Sequence, residues 1–63
     1  MNKYKLRPDG RIVALISFGN VQAGDIGGKI EKEANLSQMG KAWVFGKAWA
    51  FGNAQVYGDA QVY

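Results

Sequence analysis

The sequence contains no cysteine and no histidine. The first absence excludes disulfide bonds, and the two together exclude an ordinary structural zinc site. They also remove Ser-His-Asp and Cys-His arrangements from what one chain can build, and with them the commonest general base. The expectation is a protein that is not an enzyme and carries no metal or other cofactor. Long apolar runs are missing as well. The longest is Ile12–Ile16, too short for a signal-peptide core or a membrane span. A cytoplasmic protein without a membrane partner is therefore expected, and the lack of cysteine fits a reducing compartment.

What is present reads as one small globular domain. Of its 63 residues, 48% are hydrophobic and 21% charged, which argues against a disordered tail. A domain this short buries only about 60% of its unfolded surface. Scaffolds of this size lean on a disulfide, a metal or a partner chain. With the first two excluded, a homo-oligomer, dimer or trimer, is expected.

The formal net charge of +3 is unevenly spread. Lys3, Lys5, Arg7 and Arg11 face only Asp9 in the first eleven residues, whereas the acidic and basic residues balance in the rest. An N-terminal basic group suits an anionic ligand or an acidic protein surface. It equally suits an edge strand kept soluble by its charges. Lys3, Lys5, Arg7 and Arg11 are the candidate ligand residues.

From Gly40 the chain is repetitive: GKAWVF, GKAWAF, GNAQVY, GDAQVY, without a gap. A period of six is a multiple of two, so each unit can be a short strand whose alternate residues share a face. The spacing predicts Ala42, Val44, Ala48, Ala50, Ala54, Val56, Ala60 and Val62 inward. Trp43, Phe45, Trp49, Phe51, Tyr57 and Tyr63 then point outward, and the glycines fall at the corners, where φ > 0 is needed. Three units make one coil of eighteen residues, so Tyr63 should stack over Phe45 and Val62 over Val44. One and a third coils would leave an open edge and an apolar end.

The run Val56-Tyr-Gly-Asp-Ala-Gln-Val62 resembles the hexapeptide repeat of left-handed parallel β-helices. The upstream residues Phe18-Gly-Asn-Val21, Gly24, Gly27-Gly28 and Asn35-Leu36-Ser37-Gln38 resemble the leader of an uncharacterised bacterial and phage group of such proteins, some labelled transferases. The resemblance implies an all-β fold: a short N-terminal β-hairpin followed by a truncated left-handed β-helix of about one and a third coils. Residues 1–39 would be the leader hairpin and cap, and residues 40–63 the solenoid repeats, in a single domain. Hexapeptide acyltransferases use a catalytic His, which this sequence lacks.

Within the leader, Lys3–Arg7 alternates polar and apolar residues like a half-buried strand. Pro8-Asp9-Gly10 is a turn, and Arg11–Phe18 reads as the returning strand. Gly24–Gly28 reads as a flexible corner, because it lacks the Lys-Ser/Thr and strand-to-helix context of a phosphate loop. Glu31 and Glu33 would share a strand face, a candidate cation site, although solvated carboxylates are commoner. Glu31–Ala34 could also form one helical turn, and Asn35–Gln38 a local turn with side-chain to backbone bonds.

Six large rings facing outward mark an interface, for which aromatics are enriched; Trp43, Phe45, Trp49, Phe51, Tyr57 and Tyr63 are the candidate contact residues. Nucleic acid is not the expected partner, because only Lys41 and Lys47 interleave with these rings. The leading expectation is a non-enzymatic, homo-oligomeric binding or sequestering module; the resemblance, with the small size, implies a phage-encoded inhibitor of a host factor, or a sponge for an anionic small molecule. The alternatives are a structural self-assembly element, such as a trimeric tip or fibre segment, and a degenerate hexapeptide acyltransferase relative.

Overall fold

Pro8-Asp9-Gly10 reverses the chain, with Gly10 at φ 88° and the Asp9 carboxylate accepting a hydrogen bond from the Arg11 N–H at 3.0 Å. In the computed structural model, which describes residues 2–63, this turn joins β1 (Tyr4–Leu6) and β2 (Arg11–Ala14). They pair antiparallel with Tyr4 opposite Ala14 and Leu6 opposite Ile12. The expected hairpin is present, with a second strand shorter than its β-branched run.

The next strand, β3 (Ile26–Ile30), lies where the glycines suggested a corner. Gly27 and Gly28 are buried inside it, at positions where a side chain would not fit. A Cβ on Gly27 would lie 2.5 Å from the Val44 carbonyl oxygen, and one on Gly28 would lie 2.4 Å from that of Ala48. Two side-chain-free positions thus let β3 lie directly on the repeat segment. A 3₁₀ turn, η1 (Glu33–Asn35), follows. The repeats supply β4 (Trp43–Val44), β5 (Trp49–Ala50) and β6 (Gln61–Val62).

These strands form a four-stranded mixed sheet in the order β1-β2-β3-β5 and a separate parallel pair, β4-β6. The all-β character holds, but the truncated left-handed β-helix does not: the larger sheet is mixed, and the described residues form no closed solenoid. The hairpin is not a cap laid on a finished coil. It continues through antiparallel β3 into parallel pairing with β5, so residues 1–39 and 40–63 share one sheet.

The physical reason lies in the core. Small inward residues cannot fill it, and the leader contributes large ones: Tyr4, Ile12, Val21, Ile30 and Leu36 are buried with Ala42, Trp43, Val44, Ala50 and Val56. Of the residues expected inward, Ala48 and Val62 are half-buried, and Ala54 and Ala60 are exposed. Two local features of the repeat do appear. Gly40, Gly46, Gly52 and Gly58 take φ of 74°, 54°, 62° and 64° at the corners. Val44 pairs with Val62, and the Phe45 and Tyr63 rings stack at 4.7 Å with 8° between planes.

Buried side chains tie leader to repeats. Asn35 is fully buried. Its Oδ1 accepts from the N–H groups of Glu31 (3.1 Å) and Lys32 (2.9 Å), and its Nδ2 donates to the carbonyls of Gly52 (3.1 Å) and Ala54 (2.9 Å). No helix among the described residues is long and apolar enough to cross a membrane.

Candidate functional site

Strand register places three residues in a row. Arg11 on β2 is the partner of Lys29 on β3, and Lys29 is the partner of Trp49 on β5. Directly paired residues on neighbouring strands share a face of the sheet. The row therefore spans two strand spacings, roughly 10 Å. The residues next along each strand, Ile12, Ile30 and Ala50, are buried, so alternation sends Arg11, Lys29 and Trp49 to the opposite face. With Gly46 and Lys47 from the turn before β5, they line a cavity of about 310 Å³.

The charge in this cleft is of one sign: Arg11, Lys29 and Lys47 line it, and no carboxylate does among the described residues. Arg11 is held in place. Its Nε donates to the Gly27 carbonyl at 3.2 Å and its Nη2 to the Gly46 carbonyl at 3.1 Å. These bonds orient the guanidinium fork but do not neutralise it, since the acceptors are uncharged. Glu31, two residues beyond Lys29, turns its carboxylate to the Gly52 N–H at 3.1 Å. The Trp49 indole is 58% exposed, and its other neighbour is the Phe51 ring, 4.8 Å away between centroids.

Two other cavities are less suited to a charged ligand. The one of about 240 Å³ beside Lys32 and Gly52 uses Asn35, whose amide is already spent on backbone groups. The one of about 320 Å³ beside Val56 carries Glu33 as its charged residue.

The structure separates the four cations expected to act together. Lys3 is buried, donating through Nζ to the carbonyls of Ala42 (2.8 Å) and Gly40 (3.4 Å) and lying 5.0 Å from the Phe18 ring centroid. Lys5 is exposed on β1, and Arg7 pairs with Asp9 at 3.2 Å. Only Arg11 reaches the cleft. Sequence reasoning did not reach Lys29 and Lys47, because acidic residues balance the basic ones over that part of the chain. The available signal was the alternation around Ile30, which puts Lys29 on a solvent face.

The aromatic set divides as well. Trp43 is 2% exposed, not outward, because the leader covers it: Tyr4 and Phe18 meet it edge-on at 6.3 and 5.3 Å. Phe45 is half-buried beneath Tyr63. Trp49, Phe51, Tyr57 and Tyr63 are exposed. Glu31 and Glu33 do not form a pair, since the chain enters η1 at Glu33. Neither a family model nor a curated protein matches the chain.

Proposed function

We propose that this protein is a non-enzymatic binding module that holds a small anionic ligand in the Arg11–Lys29–Lys47 cleft. The observation that carries this reading is the cross-strand row, which brings cations from separate parts of the chain to one cavity with no carboxylate among the described lining residues. Like charges held together repel, and an anion relieves that repulsion. A rigid guanidinium offers the planar donor geometry that phosphate and carboxylate groups accept. Sequestration in the cytoplasm is the role this chemistry suits, as binding here needs no nucleophile or general base.

Thermal melting with inorganic pyrophosphate tests it. Pyrophosphate should raise the melting temperature at low salt, less so as salt is added. The gain should vanish in Lys29→Gln/Lys47→Gln, which leaves the Arg11 backbone contacts in place. An unresponsive wild type, or a double variant that responds equally, would overturn the reading.

A second reading, self-association, is favoured by one observation. β5 is an edge strand of the four-stranded sheet, and it carries Trp49 and, just beyond, Phe51, both more than half exposed. Pairing of β5 with β5 of a second copy about a two-fold axis would satisfy its free edge and cover both rings. Sedimentation should then show a dimer at micromolar concentration that Phe51→Ala dissociates. A monomer at that concentration would end this reading.

A further inference from the structure

The cleft combines two features that ask for different parts of one ligand. Three cations call for an anion, and an exposed indole at the end of the same row offers an aromatic face. We infer that the ligand is a mononucleotide-sized phosphorylated aromatic compound, its phosphate on Arg11, Lys29 and Lys47 and its ring against Trp49.

This rests on the anion-binding reading and goes beyond it by requiring the ring. Trp49 is the registered neighbour of Lys29, so indole and ammonium lie on adjacent strands of the same face. The separation from Arg11 across the row, roughly 10 Å, suits a molecule with a planar ring at one end and a phosphate at the other. A purely inorganic anion would leave the indole unused. Trp49 is not filling the core, since the next residue, Ala50, does that. The Phe51 ring lies beside it, with centroids 4.8 Å apart, a contact that restricts part of the side-chain freedom binding would otherwise have to remove. The cavity of about 310 Å³ lies at the small end of ligand pockets, roughly 300–1,000 Å³. That favours one nucleotide over a polymer.

The experiment is calorimetric titration of wild type and Trp49→Leu with adenosine 5′-monophosphate, ribose 5-phosphate, adenosine, inorganic pyrophosphate and a single-stranded oligonucleotide. Trp49 is exposed, so its replacement leaves the core intact. The monophosphate should bind about tenfold more tightly than ribose 5-phosphate, the factor that one ring stack supplies. In Trp49→Leu that advantage should disappear while pyrophosphate binding persists. Equal binding of the monophosphate and ribose 5-phosphate by wild type would overturn the inference and leave the anion site standing. Pyrophosphate binding without monophosphate binding would do the same. Failure of every phosphate would remove both the anion site and the inference. Adenosine binding as tightly as its monophosphate would show ring recognition without the anion and would overturn the inference, with the pyrophosphate titration deciding separately on the anion site. A single-stranded oligonucleotide binding a hundredfold more tightly than the monophosphate would overturn the small-ligand assignment in favour of nucleic acid.

Discussion

The Lys3 ammonium donates to the Ala42 carbonyl at 2.8 Å across 39 residues of chain. A residue that counts toward the basic N-terminal group is thus a buried structural clamp. Gln38 reinforces it, accepting from the Lys3 N–H at 2.7 Å and the Tyr4 N–H at 3.2 Å. Together they hold the first strand against the start of the repeats.

Replacing Lys3 should therefore cost stability and spare binding. Lys3→Met keeps the length of the stem but leaves the Ala42 carbonyl without its donor. Urea unfolding should show a loss of about 1–3 kcal/mol. The pyrophosphate response should be that of wild type once the lower starting stability is allowed for. A variant with unchanged stability and abolished binding would return Lys3 to the ligand site.

Tyr4 makes the stability depend on pH in the alkaline range. Burial, with a smaller contribution from the Glu33 charge, pushes its phenol up to about 12 from the usual 10.0. The unfolded chain therefore releases the Tyr4 proton first. Stability is intact below pH 10 and falls as pH rises toward 12, by up to roughly 3 kcal/mol. Lys3 acts in the opposite sense, because burial lowers its pKa from 10.5 and its penalty is relieved as pH rises. Comparing wild type with Tyr4→Phe cancels the Lys3 contribution. The variant loses hydrogen bonds to the Leu36 and Glu33 carbonyls and should be the less stable protein near neutrality. Its deficit should shrink between pH 10 and 12; a gap that stays constant in urea titrations at both pH values would refute the assignment.

Two glycines should respond differently to the same added methyl group. Gly28→Ala would drive its Cβ to 2.4 Å from the Ala48 carbonyl oxygen and 2.7 Å from a Val44 methyl. That contact forces β3 off the repeats, and the cooperative unfolding transition should be lost. Gly46→Ala meets nothing within 4 Å, but keeps a φ of 54°. Its cost should be about 1–2 kcal/mol, that of one left-handed residue. Circular dichroism melting of the two variants distinguishes steric contact from backbone strain, and equal losses would contradict the close approach of β3.

How much of this was legible in the sequence can be seen in particular residues. The Pro8-Asp9-Gly10 turn and the glycine corners follow from turn chemistry, which acts through neighbouring residues. The placing of Tyr63 over Phe45 follows from the repeat period, since three units of six residues separate the two rings. The sequence by itself determined all three. It also determined the all-β character, since no helical period competes with a six-residue one.

Only the tertiary structure decided which strand lies beside which. Gly27 and Gly28 look like a loop until Val44 and Ala48 are found against them, and then their missing side chains are what permits β3. Trp43 and Trp49 occupy the same place in successive repeats, yet the leader covers one and leaves the other in solvent. The cleft follows from the same long-range choice. Arg11, Lys29 and Trp49 are far apart along the chain and become neighbours only when β2, β3 and β5 pair. Alternation states which residues share a face within a strand; burial and charge clustering depend on what packs beside that strand, and that is settled by the fit of the whole core.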